Sequence, residues 1–539
     1  MTAQALQIRL DELLELLPAW FRSGLTISGE GLPWIGGIAQ DSRRVVPGDL
    51  FVARQGNLSD GHAFIPDALN RGASVIVGER QISSLPVPYI RVKDGRLALA
   101  YFAAAVYRFP ARKLIVIGVT GTDGKTTTCN LIFNILKAAG YPVGMISTVN
   151  AVIGDKQIDT GFHVTTPDAP DVQRYLAEMV QQDLTHVILE VTSHGLEQQR
   201  VAGCDFDLAV LTNITHEHID YHGTFEAYRK AKARLFTGLT RSEPKASGLR
   251  PGAVLNRDDR SFAFISNRIR AQAMEDKKEV HEITYGFDSS ADVCTKEIVS
   301  DPGGMDLKVL ARGEQLNIRS RLLGDFNAAN VMAAAAATFV GLNVASRPVL
   351  EGIESTQGIP GRMELVDMGQ PFRAMVDFAH TPNALKRVLE AARKLLERST
   401  QPGKIIAIFG SAGLRDRDKR RLMAEESLRL ADVTILTAED PRIEALAEIL
   451  GEMSQGAQAA GGVEGENYWC IPDRREAIRF GVKVAQPGDI VLALGKGHEQ
   501  SMCFGEREYP WDDRIALKAA LAEILQVVGP KMPFLPDWA

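Results

Sequence analysis

Residues 118–128 read G-V-T-G-T-D-G-K-T-T-T and directly follow the apolar run L-I-V-I at residues 114–117. This order predicts a strand, a glycine-rich turn and the first turn of a helix. Such a turn aims backbone N–H groups and the positive end of a helix dipole at one point. Lys125 adds a positive charge there, and the hydroxyl of Thr126 or Thr127 can hold a magnesium ion. The stretch therefore predicts a binding site for a nucleoside triphosphate.

The match to a strict Walker A pattern is incomplete. Val119 stands where that pattern has a glycine, and the nearest glycines are Gly118 and Gly121. The alternative is a glycine-rich turn with a chance lysine. The strand, the turn, the Gly-Lys-Thr sequence and the helix all agree with phosphate binding, which we therefore favour.

Composition sets the broad class of the protein. With 539 residues the chain is too long for one ordinary core, so two to four domains are expected. Hydrophobic content of 45% and charged content of 24% are typical of globular proteins. A net charge of −6 argues against a general nucleic-acid binder.

Cysteine usage and hydropathy indicate the compartment. The five cysteines are scattered without a C-x-x-C pair, as expected in a reducing environment. The N-terminus lacks the pattern of a signal peptide, because the leucines of residues 6–17 instead fall on one face of a helix. The longest apolar stretch, residues 331–342, is too short to span a bilayer and predicts a buried helix. We expect a cytoplasmic protein with no membrane span.

The chain divides into three predicted α/β units. From Lys113 onward, strands alternate with helices, which is typical of a parallel sheet. Residues 240–320, including the strand at 254–256, predict an antiparallel elaboration, and a third α/β unit begins near Gly358. The predicted domains are a small N-terminal α/β domain, a central P-loop parallel-sheet ATPase domain and a C-terminal Rossmann-like α/β domain, at residues 1–108, 109–357 and 358–539.

Polar residues just past the predicted strands point to a metal. Ligands in parallel sheets bind at the carboxyl ends of strands, and a carboxylate near a phosphate loop suits a hard cation. We assign Glu190 and His218 to this role. For His194, His216 and His222 we favour hydrogen-bonded loop residues. No Cys or His pair supports a closed zinc site.

Several motifs together resemble the Mur ligase family of peptidoglycan synthesis. They are G-T-D-G-K-T-T, then E-V-T-S-H-G-L at 190–196, T-N-I-T-H-E-H-I-D-Y-H-G at 212–223 and A-Y-R-K-A-K at 227–232. The similarity extends from residue 41 to residue 514 and is greatest to the members that add the third peptide residue. It implies an ATP-dependent, ADP-forming amide ligase. Such an enzyme phosphorylates a carboxylate of UDP-N-acetylmuramoyl-L-alanyl-D-glutamate (UDP-MurNAc-L-Ala-D-Glu), and a diamino acid then attacks the acyl phosphate.

The resemblance assigns the ATP and Mg²⁺ site. Lys125 would neutralise phosphate oxygens, while Thr126, Glu190 and His218 would hold magnesium ions. Lys232 matches the lysine that this family carbamylates, although the sequence by itself favours a solvated helix lysine. The implied ATP-binding residues are Gly121, Thr122, Asp123, Gly124, Lys125, Thr126, Thr127, Asn330, Arg362 and Asp377.

A second group of positions matches the family's nucleotide-sugar and peptide site. Gln40, Asn57 and Leu58 depart from the usual residues, and Thr192 stands where a serine is usual, although its hydroxyl can do the same work. The implied binding residues are Ser42, Asn57, Leu58, Ser59, Thr165, Thr166, Thr192, Gln198 and Arg200.

The third unit would bind the incoming amino acid. Arg442 offers a guanidinium fork that could clamp a distal carboxylate, as meso-diaminopimelate requires. Asp440 replaces the asparagine of diaminopimelate-adding members, and its charge could attract the ammonium of L-lysine or L-ornithine. Both kinds of substrate therefore stay open. The implied residues are Arg415, Glu439, Asp440, Pro441, Arg442, Gly495 and Glu499.

Two alternatives remain at this point. One is another ligase of the same superfamily, of the MurF, MurD or folylpolyglutamate synthase type, against which residues 41–43, 218–223 and 440–442 argue. The other is a nucleotide-gated binding protein without ligase activity, which has no need for a lysine at a second metal. We expect a monomer whose partners are the muramoyl peptide and the diamino acid.

Overall fold

The computed structural model contains three α/β units in chain order, and the predicted fold class is confirmed. Apolar clusters cover both faces of the main sheet in each unit, as expected for sheets built largely from parallel strands. The structure describes residues 7–56, 59–82, 84–158, 166–215, 219–301, 303–399 and 401–536.

The first unit contains a five-stranded sheet in the order β2-β7-β6-β5-β4, in which only the β2–β7 pair is antiparallel. Its strands are β1 (Ile8–Arg9), β2 (Thr26–Ser28), β3 (Trp34–Ile35), β4 (Gly37–Ala39), β5 (Asp49–Ala53), β6 (Val75–Gly78) and β7 (Tyr89–Arg91). Its helices are α1 (Leu10–Leu16), α2 (Ala19–Arg22), α3 (Ile65–Asn70) and α4 (Gly95–Val106).

The second unit contains an eleven-stranded sheet in the order β11-β10-β9-β12-β8-β13-β14-β15-β16-β17-β18. Its strands are β8 (Ile115–Thr120), β9 (Val143–Ile146), β10 (Ala151–Ile153), β11 (Lys156–Ile158), β12 (His186–Glu190), β13 (Leu208–Leu211), β14 (Gly252–Asn256), β15 (His281–Gly286), β16 (Val293–Asp301), β17 (Gly304–Ala311) and β18 (Glu314–Ser320). Its helices are α5 (Lys125–Ala138), α6 (Ala169–Gln181), α7 (Ser193–Glu197), α8 (Ile219–His222), α9 (Phe225–Thr237), α10 (Phe262–Asp276), α11 (Asn327–Ala335) and α12 (Ser346–Glu354).

Part of the predicted antiparallel elaboration is wrong. Strand β14 pairs in parallel with both β13 and β15, so the stretch at 254–256 continues the central sheet. The antiparallel part begins only at the β16–β17 pair and ends with β18. All five residues of β14 are buried, which suits a central strand covered on both faces.

The alanine-rich stretch is buried, as predicted, but it is not one regular α-helix. After α11, the chain continues as a π-helical segment at Ala336–Gly341. The hydroxyl of Thr338 donates a 2.8 Å hydrogen bond to the carbonyl oxygen of Ala334 within this region. Within the described residues, no helix combines the length and apolar character needed to cross a lipid bilayer.

The third unit contains a six-stranded sheet in the order β19-β20-β24-β21-β22-β23, parallel except for the β19–β20 pair, and a separate β25–β26 hairpin. Its strands are β19 (Glu364–Val366), β20 (Arg373–Asp377), β21 (Ile405–Phe409), β22 (Val433–Leu436), β23 (Tyr468–Cys470), β24 (Ile490–Leu494), β25 (Ser501–Phe504) and β26 (Arg507–Pro510). Its helices are α13 (Pro382–Glu397), α14 (Asp418–Leu430), α15 (Leu446–Ala459), α16 (Arg474–Val484) and α17 (Asp513–Leu525).

Candidate functional site

The phosphate loop joins β8 to α5, as the sequence predicts. Gly124 precedes the first residue of α5 and has a φ of +80°, in the left-handed region that favours glycine. A Cβ atom at this position would lie 2.2 Å from Oδ1 of Asn330. Asn330 is buried and is held by a 2.8 Å hydrogen bond from its Nδ2 to Oδ1 of Asn327. Where α11 approaches the loop, only a glycine therefore fits at position 124.

The end of β13 holds the loop in place. The backbone N–H of Asp123 donates to Oδ1 of Asn213 at 3.0 Å, and the hydroxyl of Thr212 donates to the carbonyl oxygen of Asp123 at 2.6 Å. The backbone N–H of Thr122 donates to the carbonyl oxygen of Asn213 at 2.7 Å. The ammonium of Lys125 donates to the carbonyl oxygen of Thr122 at 2.8 Å. These contacts preorganise the loop around the N-terminus of α5.

Thr126 and Glu190 form the candidate metal site. The threonine hydroxyl lies 3.0 and 3.1 Å from the two carboxylate oxygens of Glu190, and both residues are buried. The backbone N–H of Thr148 donates to Oε2 of Glu190 at 3.0 Å and fixes the carboxylate. No cluster of three or more His, Cys, Asp or Glu in the described residues could hold a metal alone. One carboxylate and one hydroxyl fit Mg²⁺, which keeps waters and takes further ligands from substrate phosphates.

Lys232 is buried beneath the phosphate loop, with a residue exposure of 2%. Its Nζ donates to the carbonyl oxygen of Gly121 at 2.6 Å and lies 4.6 Å from the ring centroid of Tyr228. The hydroxyl of Tyr228 is in turn 3.0 Å from the hydroxyl of Thr122. The interpretation of Lys232 as a solvated helix lysine is therefore wrong, because α9 turns this side chain toward the loop.

The third unit contributes Arg362 to the same place. Its Nη2 lies 3.4 Å from the hydroxyl of Thr126, and its Cζ lies 4.8 Å from the ring centroid of Phe378. Its Nε is buried, and among the described residues it has no hydrogen-bond partner. Asp377 accepts from the backbone N–H groups of Met363 and Ala379, each at 2.7 Å, and burial raises the pKa of its carboxyl group. Asp377 thus fixes the chain around Arg362.

Two histidine expectations need correction. His194 lies in α7 and His222 in α8, so neither is a loop residue. The ring centroid of Tyr221 lies 4.0 Å from that of His194 and 4.9 Å from that of His222. These rings pack together beside the site. Five predicted positions lie outside the described residues: Asn57, Leu58, Thr165, His216 and His218.

The residues predicted for the muramoyl peptide form one network beside Glu190. The hydroxyl of Thr166 donates to the carbonyl oxygen of Glu190 at 3.1 Å and lies 3.1 Å from the hydroxyl of Thr192. Arg200 donates to the carbonyl oxygen of Thr166 at 2.6 Å and to Oε1 of Gln198 at 2.9 and 3.1 Å. This network leads from the metal site toward the first unit.

The network reaches the first unit through residues that sequence reasoning missed. Asp168 lies 3.3 Å from Nε of Arg200 and accepts a 2.7 Å hydrogen bond from Nε2 of Gln40. Arg54 donates to Oε1 of Gln40 at 2.9 and 3.2 Å. Asp168 and Arg54 belong to no sequence motif. The one signal near them was that Gln40 differs from the residue usual in the family. Ser42 begins a short 3₁₀ helix and is buried, whereas Ser59 is exposed.

In the third unit, Glu439 lies in the candidate amino-acid pocket. Glu439 is buried, and its Oε2 has no hydrogen-bond partner among the described residues. Burial raises the pKa of this carboxyl group to about 7, although nearby Lys419, Arg474 and Lys496 oppose the shift. A Cβ atom at position 495 would lie 2.3 Å from this Oε2, so Gly495 leaves room for it.

Asp440 makes a different set of contacts from the one its charge suggested. Its Oδ1 lies 3.0 Å from Nζ of Lys496, and it accepts a 2.9 Å hydrogen bond from the backbone N–H of Cys503. Lys496 is buried and also pairs with Glu499 at 2.5 Å. Asp440 thus already has an ion-pair partner inside the unit, which it shares with Glu499. Arg415 is exposed and Arg442 half-buried on neighbouring loops.

Comparison with known proteins identifies the family. The chain is 42% identical over 498 residues to the UDP-N-acetylmuramyl-tripeptide synthetase of Roseiflexus sp. (strain RS-1), covering 91% of this chain and 95% of that relative. The chain belongs to the Mur ligase family. Three family descriptions match it: "Mur ligase family, catalytic domain" at residues 35–107, "Mur ligase middle domain" at 119–338 and "Mur ligase, glutamate ligase domain" at 361–497.

Other relatives and solved structures agree with this Mur ligase assignment. A UDP-N-acetylmuramoyl-L-alanyl-D-glutamate–2,6-diaminopimelate ligase from Geobacillus thermodenitrificans (strain NG80-2) is 40% identical over 519 residues, covering 96% of this chain and 100% of that relative. A solved structure of a ligase with the same name superposes with a TM-score of 0.63 at 30% identity, covering 91% of this chain and 95% of that one. A MurF ligase from Thermotoga maritima in complex with ADP, at 19% identity and a TM-score of 0.57, covers 85% of this chain and 93% of that one and shares the fold.

Proposed function

We propose that this Mur ligase is an ATP-dependent, ADP-forming amide ligase of peptidoglycan precursor synthesis. It joins a diamino acid to UDP-MurNAc-L-Ala-D-Glu. The observation that carries the proposal is the convergence of Glu190 and Lys232 on one phosphate loop, from β12 and α9. A loop that only bound nucleotide would need the carboxylate but not the buried lysine.

The phosphate loop is the proposed ATP site. Backbone N–H groups at the N-terminus of α5 and the ammonium of Lys125 would neutralise the phosphate oxygens. Mg²⁺, held by Thr126 and Glu190, would supply charge neutralisation at the terminal phosphates. Arg362 would add a guanidinium from the third unit, because its buried Nε still has an unsatisfied donor. Asn330 lies beside the loop at Gly124, on the α11 side.

The proposed reaction has two steps. A carboxylate oxygen of the D-glutamyl residue attacks the γ-phosphorus of ATP, the bond to the β-phosphate oxygen breaks, and ADP leaves. The amine of the diamino acid then attacks the carbonyl carbon of the acyl phosphate, an amide bond forms, and inorganic phosphate and one proton leave. Thr166, Thr192 and Arg200 would hold the acceptor peptide next to Glu190, so that the reacting atoms are already close together.

We also propose that Lys232 is carbamylated in the active enzyme. The neutral amine of Lys232 would add to CO₂ and release a proton, so that a cation becomes an anionic carbamate whose oxygen could ligate a second Mg²⁺, with His218 as a further ligand. The buried position of Lys232 beside Gly121 supports this, because the modified side chain would be held against the phosphate loop.

Of the three candidate amino acids, we favour meso-diaminopimelate. Asp440 was expected to attract the ammonium of lysine or ornithine, but it already pairs with Lys496 inside the unit. Arg442 remains as the guanidinium that could clamp a second carboxylate. Relatives that align over almost the whole chain are named diaminopimelate ligases, which supports the same choice. Glu439, Pro441, Gly495, Glu499 and Arg415 would form the rest of this pocket.

The remaining features of the proposal are the location, the oligomeric state and the domain limits. We propose a cytoplasmic monomer with domain boundaries near residues 108 and 357. The matched ranges 35–107, 119–338 and 361–497 fall within these limits. MurF and folylpolyglutamate synthase structures are only 14–22% identical, so they support the shared fold and not the same substrate.

A substrate panel tests the proposal. Purified protein is given ATP, Mg²⁺ and UDP-MurNAc-L-Ala-D-Glu with meso-diaminopimelate, L-lysine or L-ornithine, and phosphate release is measured together with the mass of the product. We expect release and a tripeptide product chiefly with meso-diaminopimelate. Preference for lysine would reject the assignment of the amino acid, whereas no release with any amine would reject the ligase function.

A further inference from the structure

The phosphate loop carries a negative charge of its own. Asp123 immediately precedes Gly124, and its backbone is fixed by Thr212 and Asn213. Its carboxylate therefore stays close to the N-terminus of α5, where a triphosphate would bind. Like charges in one binding site repel each other, and a cation close to them reduces this repulsion. The proposed ATP site thus contains a carboxylate that would repel the negatively charged triphosphate.

A cation from the third unit lies against this carboxylate. Nη1 of Arg387, on α13, is 3.3 Å from Oδ2 of Asp123, and the two side chains are 35% and 28% exposed. Helix α13 begins at Pro382. The preceding Thr381 caps the helix, because its hydroxyl oxygen accepts a 3.2 Å hydrogen bond from the backbone N–H of Ala384. Arg387 lies in the second turn of this helix and so reaches the phosphate loop.

The same helix makes a second ion pair with the central unit, away from the loop. Nζ of Lys394 lies 2.9 Å from Oδ2 of Asp325, and both side chains are partly exposed. Lys394 therefore provides a natural comparison. Both pairs join α13 to the central unit, but only the pair of Arg387 involves a residue of the phosphate loop.

We propose that Arg387 is a positioning residue of the nucleotide site: it neutralises Asp123 across the boundary between two units, so that ATP affinity depends on the docking of α13. The inference rests on the ATP site of the proposed function. Arg387 acts through Asp123 and does not need to touch the nucleotide. By thermodynamic reciprocity, a bound triphosphate strengthens the docking of the third unit to the same extent.

A double-mutant cycle tests this role. The dissociation constant of a non-hydrolysable ATP analogue with Mg²⁺ is measured by calorimetry on the full chain, without muramoyl peptide. We expect Arg387→Ala to weaken binding roughly tenfold, since the cation that lies against Asp123 beside the proposed phosphate site is lost. Asp123→Asn should bind at least as tightly as the original protein. The double variant Asp123→Asn/Arg387→Ala should bind within about threefold of Asp123→Asn alone.

Three outcomes would overturn the inference. An unchanged affinity in Arg387→Ala would show that the charge has no effect. A double variant as weak as Arg387→Ala would mean that the arginine contacts the nucleotide directly. An equal loss in Lys394→Ala would mean that docking alone, and not the charge on Asp123, sets the affinity. Circular dichroism of each variant checks folding, and failure of the original protein to bind the analogue would instead reject the proposed ATP site.

Discussion

The Nζ atom of Lys232 lies 2.6 Å from the carbonyl oxygen of Gly121, so α9 is tied to the phosphate loop by a buried lysine. The lysine also lies over the ring of Tyr228, whose hydroxyl contacts Thr122. A chemical change of the Lys232 side chain will therefore alter a contact with the phosphate loop. The buried Lys232 is thus connected to the place where the triphosphate would bind.

Replacing Lys232 should abolish ligation. We expect Lys232→Ala to lower kcat at least about 100-fold, because both the contact with the loop and the proposed carbamate are lost. Short carboxylic acids such as formate or acetate should restore part of the rate. Lys230→Ala is the matched control, since this lysine is exposed two residues earlier on the same helix. Full activity of Lys232→Ala without added acid would remove the assigned role.

The phosphate loop should not tolerate a side chain at position 124. Gly124→Ala would place a Cβ atom 2.2 Å from Oδ1 of Asn330, and we expect it to eliminate nucleotide binding. Gly140→Ala is a matched control, because Gly140 has the same φ of +80° but no atom within 4 Å of the added Cβ. The control should lose only about 1 kcal/mol of stability and keep its nucleotide affinity. Equal nucleotide affinity of both variants would contradict the described loop geometry.

The third unit depends on a fully buried ion pair. Arg474 and Asp513 have no exposed side-chain surface, and Asp513 also accepts a 2.8 Å hydrogen bond from the indole of Trp511. Arg474→Ala should cost about 3–5 kcal/mol, because a buried carboxylate loses its partner. Arg479→Ala, which removes a partly exposed pair with Glu523, should cost less than about 1 kcal/mol. Chemical denaturation followed by tryptophan fluorescence measures the free energy of unfolding of both variants. Similar losses in the two variants would contradict the special importance of the buried Arg474–Asp513 pair.

Glu439 should make stability depend on pH. Its pKa rises from the ordinary 4.5 to about 7, so between these values the folded protein binds more protons than the unfolded one. The stability contributed by this group therefore falls as pH rises from about 4.5 to 7. Relative to the original protein, Glu439→Gln should gain thermal stability between pH 5 and pH 8, by up to about 3 kcal/mol. A difference between the two melting temperatures that does not change with pH would contradict the raised pKa of this buried carboxyl group.

Arg442 should act on the amino acid and not on ATP. Its backbone is fixed to the β25–β26 hairpin by a 3.1 Å hydrogen bond to Cys503 and a 2.7 Å hydrogen bond from Gly505. We expect Arg442→Ala to raise KM for the diamino acid at least tenfold, because a bidentate contact with a carboxylate is lost. The KM for ATP should not change. Arg507→Ala, on the same hairpin, serves as the control, and an unchanged amino-acid KM in Arg442→Ala would mean that the pocket is misplaced.

The sequence predicted those features that depend on neighbouring residues. The strand, loop and helix around Lys125 follow from residues 114–128 alone, and Glu190 could be placed because the carboxyl ends of parallel strands meet at one edge. The hydrogen bond between Thr126 and Glu190 is consistent with that reasoning. Family membership, which the motifs indicated, is confirmed by the relatives.

Features that depend on distant residues were missed or judged wrongly. The burial of Lys232 depends on how α9 packs, and its own helix sequence suggests solvent exposure. The ion pair of Asp440 depends on Lys496, which lies in a separate loop. The contact of Arg387 with Asp123 joins residues 264 positions apart, and no local pattern indicates it. Strand β14 was misjudged because its pairing partners, and not its composition, decide its direction.

The most direct test follows oxygen atoms through the reaction. UDP-MurNAc-L-Ala-D-Glu labelled with ¹⁸O in both carboxylates of the D-glutamyl residue is incubated with the protein, ATP, Mg²⁺ and meso-diaminopimelate, and the released phosphate is analysed by mass spectrometry. If ATP activates one of these carboxylates as an acyl phosphate, one ¹⁸O atom appears in each phosphate released with the tripeptide. Tripeptide formation with unlabelled phosphate would contradict the account.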